Sequence, residues 1–185
     1  MSTPFSLAAP LQPSAEFSKC MRYRYVLRWP AKTDGHGFAL FILANPSTAT
    51  AEKTDPTVSK CIGYSTRWGY QWCVVMNVRA WRETDPNKVP PDPLAISEPG
   101  EPALNDDWIQ AEATKAGIVI CGWGQLGADR ATQVLAYLRA AGVHPHALAL
   151  NDDGTPRHPL ARGKLALPKD VRPVPIPWAP RDGTT

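Results

Sequence analysis

FALFILANPSTATAEKTDPTVSKCIGYSTRWGYQWCVVMN, Phe38 to Asn77, carries the order of elements on which the fold turns. Phe38 to Ala44 is apolar at every position, as a strand buried on both faces must be. Asp55-Pro56 supplies an N-cap followed by proline at the first helical position. Val58, Ile62 and Ser65 then share one face before Gly69 stops the run, so the spacing predicts a helix over 56–68. Trp72 to Asn77, WCVVMN, is a second buried strand. Two buried strands joined through a helix form the parallel crossover unit.

Outward from this unit the same alternation continues. Arg22 to Trp29 reads as a preceding strand, joined to Phe38 by PAKTDGHG, whose proline and glycines are turn chemistry. Downstream, Val78 to Pro102 is a long polar, proline-rich loop, of the kind usually kept for function. Asn105 to Ala116 has helical composition, Gly117 to Cys121 is a third core strand, and Leu126 to Ala141 is the best helix, stopped by Gly142. His146 to Leu150 gives a fourth core strand, closed by Asp153-Gly154. The expected fold is therefore α/β, three layers α/β/α, with a central, mainly parallel four-stranded sheet plus an extra N-terminal strand. The expected organisation is an N-terminal arm (1–20), a single domain (21–167) and a proline-rich tail (168–185).

Composition bounds what this fold can do. With 185 residues, 43% hydrophobic and 20% charged, the chain suits one domain with a real core. Phe38 to Ala44 is the longest apolar run, far short of the roughly 20 residues of a membrane span. MSTPFSLAAPLQPS at the start lacks the basic and apolar regions of a secretory signal, so a cytoplasmic setting is expected, with no membrane partner. Cys20, Cys61, Cys73 and Cys121 stand far apart with no C-x-x-C spacing, which predicts core or semi-buried thiols and neither a zinc knuckle nor a disulfide framework. The net charge of +3 permits a polyanionic partner without requiring one.

In an open parallel sheet, ligands bind beyond the carboxyl ends of the strands. Those ends carry Asn45-Pro46-Ser47, Asn77-Val78-Arg79, Gly122-Trp123-Gly124 and Arg157-His158-Pro159-Leu160. One reading starts from GWGQLG, Gly122 to Gly127, a literal G-x-G-x-x-G between strand and helix, with Asp152 where a ribose-binding acid belongs. It would make the protein a nucleotide-cofactor enzyme. Against it, too little chain follows Asp152 to build a second mononucleotide half, and the glycines equally serve tight strand-to-helix packing.

The other reading is a resemblance. LANPSTATAEKTDP (Leu43 to Pro56), RWGY (Arg67 to Tyr70) and DGTPRHPL (Asp153 to Leu160) resemble the pattern of a bacterial and phage protein family of unknown function. More distantly, the order of strand ends resembles the uracil-DNA glycosylase superfamily. That resemblance implies that Asn45, with Pro46 and Ser47, orients an attacking water, that Asn77 reads the base, and that His158 stabilises the departing base. Gly122 and Trp123 would complete the pocket, Trp81 would stack on a base, and Leu160 would wedge into the vacated stack. Lys53, Arg157, Arg162 and Lys164 would hold phosphates, with Lys60 near the first motif.

The chain departs from the superfamily in several places. Leu43-Ala44 replaces a glycine before the first motif, Ser47 replaces a glycine within it, no stacking aromatic follows at once, and Leu160-Ala161 replaces Ser-Pro. The expected activity is hydrolysis of the N-glycosidic bond of a modified pyrimidine, with neither metal nor cofactor. The expected partner is DNA, single- or double-stranded, or a modified nucleotide, with no obligate protein partner. A non-catalytic nucleic-acid-binding module is the remaining alternative. Each residue also has a plainer role open to it: Asn45 and His158 in turns, Asn77 at a strand end, Leu160 in the core.

Overall fold

A computed structural model describes residues 11–101 and 104–177. The first ten residues of the expected arm and the end of the expected tail, 178–185, lie outside the described residues. The crossover at 38–77 forms as its sequence dictates. Strand β3 (Phe38–Leu43) leads through helix α1 (Pro56–Arg67) to β4 (Trp72–Asn77), and β3 and β4 pair in parallel from Phe38↔Trp72 to Leu43↔Asn77. Asp55 caps α1 by accepting the Val58 N–H at 2.8 Å, and Pro56 occupies the first turn, where its missing donor costs nothing.

The sheet is wider than the expected four-stranded core. It has seven strands in the order β1-β2-β4-β3-β5-β6-β7. In chain order the others are β1 (Ser14–Phe17), β2 (Arg24–Pro30), β5 (Ile118–Cys121), β6 (His146–Ala147) and β7 (Val174–Pro175). The pairs β4–β3, β3–β5 and β5–β6 are parallel, while β1–β2, β2–β4 and β6–β7 are antiparallel, so the sheet is mixed. Residues 14–17 of the expected arm and 174–175 of the expected tail are thus sheet edges. The expected fourth core strand, 146–150, shrinks to two paired residues, because Leu150 instead bridges Pro156 across the Asp153-Gly154 turn.

Alternation along β3 and β4 divides the core in two. Leu40, Ile42, Val74 and Met76 face Ile109 and Ala113 of α2 (Asn105–Ala113) and Val134 and Leu138 of α3 (Ala128–Ala140). Ala39, Phe41, Cys73 and Val75 face Val58, Cys61 and Tyr64 of α1. Helices therefore cover both faces. Cys61, Cys73 and Cys121 are buried free thiols, and burial pushes Cys73 up to about 12, which makes it inert at neutral pH. Among the described residues no helix is long and apolar enough to cross a membrane.

Candidate functional site

The parallel pairing of β3 and β4 carries on past both strands: the Val78 N–H donates to the Leu43 carbonyl at 2.8 Å and Arg79 to Ala44 at 3.1 Å. Asn45 and Asn77 therefore leave the sheet on neighbouring strands at the same end. Asn45 donates from Nδ2 to the Glu83 carbonyl at 2.7 Å, tying its loop to the chain after β4, and the Glu83 N–H returns to the Pro46 carbonyl at 2.9 Å. This leaves Asn45 Oδ1 as an acceptor without a partner among the described residues. A cleft of about 460 Å³ opens here, lined by Ala44, Asn45, Arg79, Asp92, Gln125 and Leu126 among others.

Glycine brings the third and fourth ends to the same rim. A Cβ on Gly122 would stand 3.1 Å from both Leu43 Cδ2 and Pro159 Cδ, so its absence lets residues 157–159 lie against the end of β5. Gly124 takes φ +61°, donates its N–H to the Pro156 carbonyl at 2.9 Å, and would meet His158 Cβ at 3.8 Å. The Gly122 N–H is likewise spent on Ile42 at 2.8 Å. Two amides that a phosphate-cradling loop would present are already used, and a Cβ on Gly127 would stand 2.7 Å from Trp123 Cβ. GWGQLG is built for close packing.

His158 has a defined hydrogen-bonding state. Its Nδ1 accepts the Leu160 N–H at 3.1 Å. An accepting Nδ1 carries no proton, so the neutral ring carries it on Nε2 and presents a donor there. Burial pulls the His158 pKa below its ordinary value, against the pull of Asp55 and with the repulsion of Lys60. At neutral pH the ring is therefore a neutral Nε2–H donor. Since the unfolded chain binds this proton at a higher pH than the folded one, the His158 contribution to stability is complete above pH ~6.5. It is lost as pH falls through the lower folded pKa. Comparing Tm against pH for the native chain and His158→Gln should show a steeper acid loss in the native protein, and parallel curves would contradict this assignment.

Asn77 is buried, and its Oδ1 accepts from Arg24 Nη2 at 3.0 Å. A guanidinium only donates, so the amide orientation is fixed with Nδ2 as the free group. The Asn77 carbonyl accepts from Asn105 Nδ2 at 2.7 Å. Arg24, itself 2% exposed, also donates to the Ala49 carbonyl at 3.0 Å, so one guanidinium joins the loop after β3 to the end of β4. Desolvation lowers its pKa to about 10, with Asp55 opposing the shift, and it stays charged at pH 7. Sequence reasoning overlooked Arg24. Its signal was a charge at an inward position of the strand RYRYVLRW.

The other expected residues divide. Pro46 is buried, and Ser47 and Leu160 are half-buried on the same loops as Asn45 and His158. Lys53, Arg162 and Lys164 are exposed, and none is in an ion pair among the described residues. Lys60 lies half-buried against Tyr64 and donates to the Leu167 carbonyl. Arg157 turns inward, donating to Asn151 Oδ1 at 3.1 Å and the Leu150 carbonyl at 3.2 Å, so it braces the 150–157 hairpin. Trp81 is engaged by Tyr23 edge to face at 5.3 Å and by the Arg22 guanidinium at 5.4 Å. Trp123 is buried in the core and lines a separate cleft of about 590 Å³ beside α3 and the 152–156 turn. Arg79, named at its strand end without a role, grips Asp92 through two hydrogen bonds, Asp129, and the Leu126 carbonyl, fastening the proline-rich loop beside the cleft. Among the described residues no group of three or more His, Cys, Asp or Glu is placed to hold a metal.

The fold and site define a mixed α/β protein with polar side chains gathered at the carboxyl ends of its parallel strands. Residues 24–160, well over half of the chain, match the family described as protein of unknown function DUF1643, and the chain belongs to that family. No curated protein and no solved structure matches the chain.

Proposed function

We propose that the protein hydrolyses the N-glycosidic bond of a modified pyrimidine in DNA, in the manner of the uracil-DNA glycosylases. The observation that carries this reading is His158, held as a neutral Nε2–H donor on a segment packed against the end of β5, the end of the sheet at which the chain leaves β3 for Asn45 and β4 ends at Asn77. The nucleotide must leave the stack, because neither its anomeric carbon nor its base edge is otherwise reachable. As the bond breaks, positive charge grows on the sugar and negative charge on the base. His158 Nε2–H meets the developing charge on a base carbonyl. Asn45 Oδ1 orients water toward the sugar carbon, which gains the hydroxyl while the base leaves with the bonding pair and takes a proton. Asn77 is buried, so its Nδ2 meets the base only where entry of the base uncovers the end of β4, and its N–H groups then favour a carbonyl edge. Lys53, Arg162 and Lys164, exposed on the loops that follow Asn45 and His158, would meet a phosphate backbone, and Leu160 would fill the vacated stack.

The test is incubation with single- and double-stranded oligonucleotides bearing uracil, hydroxymethylated and glycosylated pyrimidines, and with the corresponding free nucleotides, scored by mass spectrometry of the released base. One base is expected from DNA, and Asn45→Ala should slow its release by roughly 100-fold. Release from the free nucleotide alone would move the substrate from DNA to the monomer. No release from any substrate would overturn the reading, and salt-dependent DNA binding without product would mark a binding module.

A further inference from the structure

On the far side of the Asn45-Pro46-Ser47 loop from the cleft lies a second opening of about 460 Å³, lined by Arg22, Ser47, Thr48, Arg82 and Glu83 among others. It is at the same end of the sheet, because antiparallel β2 begins where β4 ends and the Arg24 N–H donates to the Ala80 carbonyl. Both arginines lie over aromatic rings, Arg22 at 5.4 Å from the Trp81 centroid and Arg82 at 4.8 Å from Phe17. Stacking holds a guanidinium by its face and leaves its N–H edge for an acceptor. Arg82 uses Nη1 on the Met21 carbonyl at 3.0 Å, while its Nε is buried with no partner among the described residues. Neither arginine is in an ion pair among the described residues, although Arg22 feels the Cys20 thiol and the charge of Glu98. The Glu83 carboxylate turns Oε1 to the Thr84 and Asp85 N–H groups, and its charge offsets one of the two cations.

We propose that this opening is a phosphate seat, in which the Arg22 and Arg82 guanidiniums and the Ser47 and Thr48 hydroxyls hold the phosphodiester next to the nucleotide in the Asn45 cleft. Two arginines and two hydroxyls are donors suited to phosphate oxygens. Ser47 and Asn45 stand on opposite sides of one proline, so the loop that orients water also registers the backbone. The inference rests on the proposed DNA-directed function for the identity of the phosphate. Its test does not rest on turnover.

Anisotropy titrations of a labelled, unmodified single strand and duplex across 50–200 mM salt read the seat directly. Arg22→Ala should weaken binding about 5-fold and lower the slope of log K against log[salt] by about 0.7–0.9. The Ser47→Ala/Thr48→Ala double variant, which removes no stacking, should weaken binding about 3-fold with little change in slope. Lys32→Ala, an exposed charge beyond the opposite end of β2, should leave affinity and slope as they are. Competition by inorganic phosphate distinguishes the sources. Phosphate binding lost in Arg22→Ala, with oligonucleotide binding unchanged, would keep the seat but assign it to free phosphate. Native affinity and slope in both seat variants, with phosphate binding also unchanged, would overturn the proposal. Changed slopes without base release would retain the seat and remove the glycosylase reading.

Discussion

Under the proposed reaction, His158→Ala should lower single-turnover base release by roughly two to three orders of magnitude while DNA binding changes less than about 3-fold. The asymmetry follows from where the donor acts. Before the bond breaks the base carbonyl is neutral, and a hydrogen bond to it is worth about as much as one to water. As the bond breaks the oxygen becomes anionic, and a donor fixed in a partly dehydrated site gains strength as charge builds. His158 is fixed because Leu160 N–H holds Nδ1 at 3.1 Å, so no rotation or tautomer change is needed to aim the proton. Alanine removes the donor and leaves the Leu160 amide to water. A loss confined to KM, or an equal loss in binding and rate, would show that His158 contributes ground-state contacts only.

The crossover at 38–77 was legible because three independent signals agreed: apolar runs, the Asp55-Pro56 cap and the spacing of Val58 and Ile62. Helix α1 ends at Arg67, one residue short of the expectation, as its last amides close onto Tyr64 and Thr66. Strands β1 and β7 were hidden because four and two residues carry too little alternation to read. They exist by pairing with an edge already formed, which is tertiary information. The expected strand 146–150 failed for a local reason, since the Asp153-Gly154 turn pulls Leu150 into a bridge with Pro156. Residues that follow strands can be placed from strand ends alone, which is why the positions of Asn45 and Asn77 at the carboxyl end of the sheet were legible, whereas the roles given to them and to His158 came from the resemblance. Arg157 and Trp81 could not be placed that way. Whether an arginine reaches out to phosphate or back to Asn151, and whether an indole ring is open or covered by Tyr23 and Arg22, is decided by packing partners far away in sequence.

Arg24→Ala should lower the free energy of unfolding by about 2–5 kcal/mol, read from the shift in denaturant midpoint at unchanged m-value. Two acceptors lose their donor at once, the Ala49 carbonyl and Asn77 Oδ1, and neither can be reached by bulk water, since both residues are about 1% exposed. Each buried acceptor left unpaired costs about 1–3 kcal/mol. Arg24→Met separates this cost from the loss of volume, and should recover less than half of the loss because it fills space without donating. Adding Asn77→Leu to Arg24→Met removes one orphaned acceptor along with its donor, so the double variant should be less destabilised than the sum of the single changes. Simple additivity would mean that Asn77 finds another donor. The functional consequence runs through the amide. With Arg24 present, Asn77 offers only N–H donors, and the proposed recognition would take a base by its carbonyl edge. Without Arg24 the amide is free to turn, so discrimination between carbonyl-bearing and amino-bearing pyrimidines should narrow even in those molecules that remain folded. A variant that keeps its discrimination while losing stability would confine Arg24 to holding the loop at Ala49.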